Sequence, residues 1–264
     1  MSRIRPPLRF LRILAHLASG ALTVLFLFPH LNTEERGRRV TAWAGRLTRL
    51  AGVRVVLKGR PPSVRGQGAL IVANHVSWLD IYVLHSLLFT RFIAKAEVRQ
   101  WPLIGWLAQM TGTLFLERTK KSDAARMNQE MAEHLRSGEC LALFPEGTTT
   151  DGSEVKAFYP SLFNPALAAG AQVWPVLIRY LDMGGEPTLA AAYHDHTTLL
   201  QSVMRVLRSS GIQAEVNFLP PISATGGHRR ELALAAETAI RDALARAGHD
   251  TAPEIPAHRP SEMR

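Results

Sequence analysis

The sequence predicts an α/β fold in which helices flank a mixed, mostly parallel sheet, preceded by an N-terminal pair of membrane-associated helices. Two observations predict this class. Short apolar runs alternate along the chain with longer segments of helical pattern, which is typical of strands joined by crossover helices. The run at residues 69–72, Ala-Leu-Ile-Val, contains no alternating polar residue, so it indicates a strand buried on both faces, as in parallel sheets.

The chain divides into three predicted regions. Residues 1–52 form the basic and apolar helices, and residues 53–247 form the α/β domain. Residues 248–264 form a flexible tail, because they are rich in proline and mixed in charge. The 264 residues suit one large α/β domain with an accessory segment, and no internal repeat or second core is evident.

The predicted elements of the α/β domain follow the chain in a simple order. Strands are expected at residues 53–59, 69–72, 91–95, 113–116, 140–144, 173–180, 189–193 and 212–219. Helices are expected at residues 79–88, 103–110, 122–136, 162–169 and 231–247. The segment at 148–160 is polar and is expected to be a loop.

Charge is concentrated at one end of the chain. The net charge is +9, yet residues 1–66 hold 13 Lys/Arg against 2 Asp/Glu, while the remainder is slightly acidic. Basic proteins often bind nucleic acid, but a basic segment beside an apolar one favours anionic lipid, and no nucleic-acid partner is expected. The single cysteine, Cys140, excludes an internal disulfide and is expected to be a small buried side chain.

The apolar run at residues 13–29 follows several arginines and allows more than one interpretation. No small-residue cleavage pattern follows it, which disfavours a signal peptide. It is slightly short for a spanning helix, so a membrane-inserted anchor or short span fits best, with a buried core helix as the alternative. A second helix is expected from Thr33, as N-cap, to about residue 50. Its basic and apolar faces suit a bilayer surface, and packing on the main domain is the alternative.

The most informative stretch is residues 73–80, Ala-Asn-His-Val-Ser-Trp-Leu-Asp. His75 is expected in the loop between a strand's carboxyl end and a helix capped by Ser77, which is where open α/β sheets place ligands. The positive helix N-terminus disfavours a second proton on the ring, so a neutral imidazole could accept a proton from a hydroxyl. Asp80 could hold the other ring nitrogen. The alternative is a capping box between Ser77 and Asp80 without catalysis.

A second strand ends in Phe-Pro-Glu-Gly-Thr at residues 144–148, and together these two stretches resemble the glycerolipid acyltransferase family. The family's first motif, Asn-His-x-x-x-x-Asp, is matched by Asn74, His75 and Asp80, and its third by residues 144–148. Its second corresponds to residues 92–97, 102–105 and 112–118, and its fourth to residues 173–178. The four motifs occur in the family's order over residues 70–180.

The resemblance implies a general base and a lyso-lipid site. His75 would remove the proton of the acceptor hydroxyl, and Asp80 would orient His75. Lys95 and Arg118 would bind the acceptor head group, and Glu146 with Gly147 would form the acceptor-side wall, where Glu146 could also pair with a basic residue. The residues expected to bind substrate are Asn74, Lys95, Arg118, Glu146, Gly147 and Thr148.

The expected reaction is O-acylation of lysophosphatidate to phosphatidate, without a cofactor or a metal. The expected partners are membrane lipid and a thioester donor, either acyl carrier protein or coenzyme A, with the protein on the cytoplasmic face of the inner or plasma membrane. One departure matters, because many family members have a basic residue at the position of Thr149. The absence of a basic residue at this position leaves room for another acceptor, such as a lyso-ornithine lipid.

Two rival hypotheses belong to other classes. A metal-dependent hydrolase would use His194, Asp195 and His196, with His75 and Asp80 as further ligands. A non-catalytic membrane scaffold would need no intact pair of His75 and Asp80.

Overall fold

The computed structural model describes residues 6–63, 68–116, 121–195 and 197–249. The helices are α1 (Pro6–Leu22), α2 (Thr33–Leu50), α3 (Leu79–His85), α4 (Ile104–Met110), α5 (Lys121–Arg136), α6 (Asn164–Ala169), α7 (Leu199–Arg208) and α8 (Arg229–His249). The strands are β1 (Val53–Gly59), β2 (Ala69–Ala73), β3 (Arg91–Lys95), β4 (Leu114–Leu116), β5 (Cys140–Leu143), β6 (Gln172–Leu181), β7 (Ile212–Phe218) and β8 (Ile222–Ser223). The expected flexible tail lies, from residue 250 onward, outside the described residues.

The strands form one mixed sheet in the order β1-β7-β6-β2-β5-β3-β4, and β8 pairs with β6. From β6 to β4 all neighbours are parallel, whereas β7 is antiparallel to β6 and parallel to β1. The predicted mixed, mostly parallel sheet is therefore confirmed. Every residue of β2 is buried because the strand lies between β5 and β6 in the middle of the sheet, which explains its uninterrupted apolar run.

Helices cover both faces of the sheet. On one face, α3 and α7 pack with α1 and the carboxyl end of α2 over an apolar core that includes Leu79, Val206 and, at its edge, Ile13. On the other face, α5, α6 and α8 cover a second core that includes Met131 and Ala236. Burial of the two cores leaves the edge formed by the strands' carboxyl ends available for a site.

The segment after β6 differs from its prediction. Residues 189–193 were expected to form a strand, and this expectation is wrong because they form turns and unpaired chain. The Tyr193 N–H donates to the carbonyl of Val76 at 2.9 Å. The apolar segment therefore packs beside the loop of residues 74–78, called the histidine loop below, instead of pairing in the sheet.

Helix α7 was not predicted. Its N-terminus carries a capping box, in which Thr198 accepts the Gln201 N–H and the Gln201 side chain accepts the Thr198 N–H. This Thr-x-x-Gln signal precedes an amphipathic segment and was sufficient in principle to predict the helix.

The N-caps of two helices lie one residue away from their predicted positions. Asn32, not Thr33, caps α2, because its side chain accepts the Glu35 N–H at 2.9 Å. Helix α3 begins after Trp78, although the Ser77 hydroxyl still accepts a backbone N–H of the first turn. Helix α3 also ends at residue 85 rather than 88.

Helices α1 and α2 are joined by reciprocal contacts. The His16 ring donates to the Trp43 carbonyl at 3.0 Å, and the Trp43 indole donates to the His16 carbonyl at 3.1 Å. The two rings stack with centroids 4.9 Å apart. A Cβ at Gly20 would lie 2.6 Å from the Trp43 indole nitrogen, so only glycine allows the helices to approach this closely.

The apolar surface that faces outward belongs to α1 and its continuation, a π-helical turn and a 3-10 turn ending at His30. Eight large apolar side chains are exposed on it: Leu8, Phe10, Leu11, Leu14, Leu22, Leu25, Phe26 and Leu27. Within the described ranges, Pro7–His30 is the one helical segment long and apolar enough to cross a membrane, with a mean hydropathy of 1.8. Such a surface is unusual for a water-exposed helix.

Helix α2 does not present its apolar face to the exterior. Val40, Ala44 and Leu47 are buried in the protein, so the expectation that this face lies on a bilayer is wrong and the alternative of packing on the domain is correct. The outward side of α2 is basic, with Arg38, Arg39, Arg46 and Arg49 exposed.

Candidate active site

The sheet brings the two motifs that follow β2 and β5 together at one edge. Because β2 and β5 are parallel neighbours, the loops that follow them leave the sheet side by side. The backbone N–H of His75 donates to Glu146 Oε1 at 2.8 Å, and the N–H of Thr150 donates to the His75 carbonyl at 2.8 Å. The backbone N–H and the backbone carbonyl of His75 are therefore both hydrogen-bonded to the loop after β5.

The imidazole of His75 is held on one edge and on one face. Its Nδ1 lies 2.8 Å from Asp80 Oδ2, and its ring stacks on Phe144 with centroids 3.9 Å apart and planes 6° from parallel. The same carboxylate oxygen accepts the backbone N–H groups of Val76 and Ser77 at 2.8 and 2.9 Å. An ionised carboxylate accepts only, so Nδ1 carries the ring proton and Nε2 is left as a base.

Asp80 is fully buried and has a partner that sequence reasoning missed. Its second oxygen, Oδ1, accepts the hydroxyl of Tyr180 at 2.7 Å. Tyr180 lies on β6, 100 residues further along the chain, so no local pattern connects it to the histidine motif.

The Glu146 carboxylate accepts hydrogen bonds from the backbone. Its two carboxylate oxygens accept the N–H groups of His75 and Lys156, both at 2.8 Å, and the side chain is buried. Burial raises the pKa of Glu146, and the two backbone donors partly offset that rise. Glu146 forms no salt bridge with a basic side chain within the described residues, and its carboxylate instead braces the two loops. Its place in the acceptor-side wall stays a prediction.

Asn74 also has a structural role, which corrects the prediction that it binds substrate. Its amide donates to the Ile178 carbonyl at 3.0 Å and accepts the Ile178 N–H at 2.7 Å. The side chain is completely buried between β2 and β6, so it is not accessible to a lipid. These two bonds continue the ladder of β6 across the start of the histidine loop.

The remaining predicted substrate contacts lie along the same edge. Gly147 adopts a left-handed φ of 69°, and Thr148 is exposed beside it. Lys95 ends β3, is exposed, and forms no salt bridge within the described ranges. Arg118 lies outside the described residues, just after β4.

The ligands suggested for a metal-dependent hydrolase do not form a cluster in the part of the chain that is described, where no three His, Cys, Asp or Glu side chains converge. His194 Nδ1 contacts Asp195 Oδ2 at 2.7 Å, and His196 lies outside the described residues. Cys140 is a free, buried cysteine, as expected, and burial raises its pKa to about 11.

Comparison with known proteins agrees with this fold. The pattern of the acyltransferase family matches residues 54–179. The chain is 39% identical over 250 residues to a lyso-ornithine lipid O-acyltransferase from Pseudomonas aeruginosa, covering 92% of this chain and 95% of that protein. It is 35% identical over 161 residues to a 1-acyl-sn-glycerol-3-phosphate acyltransferase from Neisseria gonorrhoeae, covering 61% and 63% of the two chains.

A solved structure shares the architecture. The crystal structure of the 1-acyl-sn-glycerophosphate acyltransferase PlsC from Thermotoga maritima aligns with a TM-score of 0.63 and 21% identity, covering 91% of this chain and 98% of the other. The matched family pattern and the relative aligned over nearly the whole chain thus define an acyltransferase. The chain belongs to the glycerolipid acyltransferase family.

Proposed function

We propose that this protein transfers a fatty acyl group from a thioester to the free hydroxyl of a lyso-lipid, with His75 as general base. The observation that carries the proposal is the contact of 2.8 Å between His75 Nδ1 and Asp80 Oδ2, because it leaves Nε2 free to accept a proton. The His75 side chain is 20% exposed, whereas that of Asp80 has no exposure, so of the two only His75 is accessible from the surface.

The reaction needs no covalent acyl-enzyme. As the lipid oxygen attacks the thioester carbonyl carbon, its proton passes to Nε2 of His75. The tetrahedral adduct then collapses, the carbon–sulfur bond breaks, and the leaving thiolate takes the proton from Nε2. Asp80 stabilises the transient imidazolium and keeps its ring in place. The donor is acyl carrier protein or coenzyme A, and the basic N-terminal quarter suits either acidic acyl carrier protein or anionic lipid.

For the acceptor, we infer a lyso-ornithine lipid. Thr149 stands where many family members carry a cation, and an ornithine carboxylate needs less positive charge than a phosphate monoester. The relative named for this acceptor also matches nearly the whole chain. Lysophosphatidate, expected from the motifs, is the second candidate, and it is favoured by the exposed Lys95 at the end of β3.

Lipid mass spectrometry of products made by the purified protein tests the acceptor and the donor together. The protein is given lyso-ornithine lipid and lysophosphatidate, each with acyl carrier protein and with coenzyme A thioesters. Faster acylation of lyso-ornithine lipid is expected, and exclusive formation of phosphatidate would overturn the first choice. Thr149→Arg should increase the use of lysophosphatidate, while Thr149→Gln, similar in length but uncharged, should not.

We also propose that the protein lies on the cytoplasmic face of the membrane, anchored through the exposed apolar side chains of α1. Cys140 is buried, so a cysteine introduced at the exposed Glu154 would be an accessible thiol near the site. An impermeant maleimide should label Glu154→Cys in inverted vesicles but not in intact cells. Labelling in intact cells would contradict this orientation.

A further inference from the structure

The carboxylate of Asp80 is bound through both of its oxygens. Oδ2 accepts three donors, namely His75 Nδ1 and the N–H groups of Val76 and Ser77. Oδ1 accepts one, the Tyr180 hydroxyl at 2.7 Å, and this is its only hydrogen bond among the described residues. Asp80 is fully buried and Tyr180 is 5% exposed, so water does not substitute for this donor.

The two sets of bonds have different origins. The three donors to Oδ2 come from the histidine loop itself and would be present in any copy of that loop. The donor to Oδ1 comes from β6, on the far side of β2 from β5, and so links the carboxylate to the sheet. With both oxygens fixed, the plane of the carboxylate cannot rotate about its bond to Cβ, and Oδ2 stays directed at the imidazole.

We propose that Tyr180 is a positioning residue for acyl transfer, which fixes the Asp80 carboxylate and thereby sets the orientation and basicity of His75. The inference rests on the proposed function. Tyr180 keeps its proton throughout the reaction, because only its hydrogen bond to Asp80 is used. By withdrawing electron density from the carboxylate, the hydroxyl limits how strongly Asp80 stabilises the imidazolium.

The electrostatics around the site agree with a permanent donor. Burial and the charge of Asp80 raise the pKa of Tyr180 well above its ordinary value, so the phenol stays protonated. Among the described residues, the ionisable groups hydrogen-bonded to His75 from neighbouring elements are Asp80 in α3 and Glu146 in the loop after β5. Tyr180 acts on His75 only through Asp80.

Tyr180→Phe removes the hydroxyl and little else. It should lower kcat about tenfold or more, the loss expected for one hydrogen bond to a charged group, while the KM values for donor and acceptor stay unchanged. The acid limb of the kcat/KM profile should move to higher pH, because Asp80 then stabilises the imidazolium more strongly. A purely structural role for Tyr180 would not move this limb.

Tyr82→Phe is the matched control. Tyr82 lies two residues after Asp80 in α3 and is half-buried, and within the described residues its hydroxyl makes no hydrogen bond to Asp80. The control should leave the pH profile unchanged. A Tyr180→Phe protein with the wild-type kcat and acid limb would overturn the proposal, and so would an equal shift in both variants.

A second variant covers the case in which Tyr180→Phe fails to fold. Site-specific replacement of Tyr180 by 3,5-difluorotyrosine preserves the ring and strengthens the donor, so the acid limb should move to lower pH. An unmoved limb would overturn the proposal. His75→Ala in the same assay separates the two hypotheses. If His75→Ala retains activity, the proposed function fails. If His75→Ala is inactive but both Tyr180 variants behave like the wild type, only the role of Tyr180 is refuted.

Discussion

The active site has two sides whose side chains are fixed to very different extents. On the inner side, at the ends of β2, β5 and β6, Asn74, Asp80 and Glu146 are buried and each polar side chain is paired with backbone or another side chain. On the outer side, at the ends of β3 and β4, Lys95 is exposed and has no salt bridge in the described part of the chain. Under the proposed function, the inner side would perform the chemistry, while the outer side could vary with the acceptor head group.

The largest effect should come from the inner side. His75→Ala removes the base and should lower kcat by about a thousandfold, within the range that general-base catalysis supplies. The fold should be retained because the backbone bonds of residue 75 remain, although the loss of the ring's contacts with Asp80 and Phe144 should lower the melting temperature. His194→Ala is the control and should keep full activity in the same acyl-transfer assay. Near-normal turnover by His75→Ala would contradict the assignment of His75, and with it the inner side, to the chemical step.

Glu146→Gln tests whether this residue braces the loops or binds the acceptor. The amide nitrogen cannot accept, so one of the two part-buried backbone N–H groups loses its partner, at a cost of about 1–3 kcal/mol. A brace predicts that the melting temperature and kcat fall together, as thermal unfolding and kinetics would show. If the melting temperature is unchanged and only the KM for the acceptor rises, Glu146 belongs to the outer side in function.

Lys95→Ala tests the outer side directly. The KM for an anionic acceptor should rise about tenfold, which corresponds to the loss of one charge-assisted contact, with kcat and the melting temperature unchanged. Arg99→Ala, which removes another exposed cation in the 3-10 turn after β3, is the matched control and should leave KM unaltered. A fall in stability for Lys95→Ala would mean that the two sides do not differ as described.

His85 sharpens the comparison, because it is buried on the same helix as Asp80 but its Nδ1 has no partner among the described residues. Burial lowers the pKa of His85 from 6.5 to about 4. The unfolded chain therefore takes up a proton first as the pH falls, so this group's contribution to stability is complete above pH 6.5 and is lost towards pH 4.

The smallest predicted effect follows from this linkage. Between pH 7 and pH 6, the His85 contribution should fall by a little under about 1 kcal/mol, or on the order of 2 °C in melting temperature. His85→Phe should remove that part of the acid sensitivity in thermal unfolding measured in detergent. Equal sensitivity of the variant and the wild type would assign the loss to other groups.

Local patterns predicted the contact between His75 and Asp80 but not the roles of Asn74 and Glu146. The apolar run of β2 and the spacing of His75 and Asp80 across a helix start were sufficient to predict their contact, because all three features lie within twelve residues of sequence. The contact is present, while its catalytic role stays a proposal. Tyr180 could not be predicted in the same way, since its position beside Asp80 depends on the order of strands in the sheet.

The errors of sequence interpretation arose where burial depends on tertiary packing. The apolar segment at 189–193 has the composition of a strand, but it packs beside the histidine loop without a strand partner. The amphipathic face of α2 resembles a membrane-surface helix, yet Val40, Ala44 and Leu47 serve the protein's own core. Amphipathicity shows that one face is buried and does not show what covers it.

Helix α1 is fastened to the rest of the protein at two points along its length. The Arg9 guanidinium donates to the carbonyl of Leu207 at 3.1 Å, and the reciprocal bonds of His16 and Trp43 hold the helix further along. An anchor held in this way is rigid relative to the α/β domain. The height of His75 relative to the lipid would then be constant, and lipids could be selected by the depth at which their hydroxyl lies, independently of any contact with the head group.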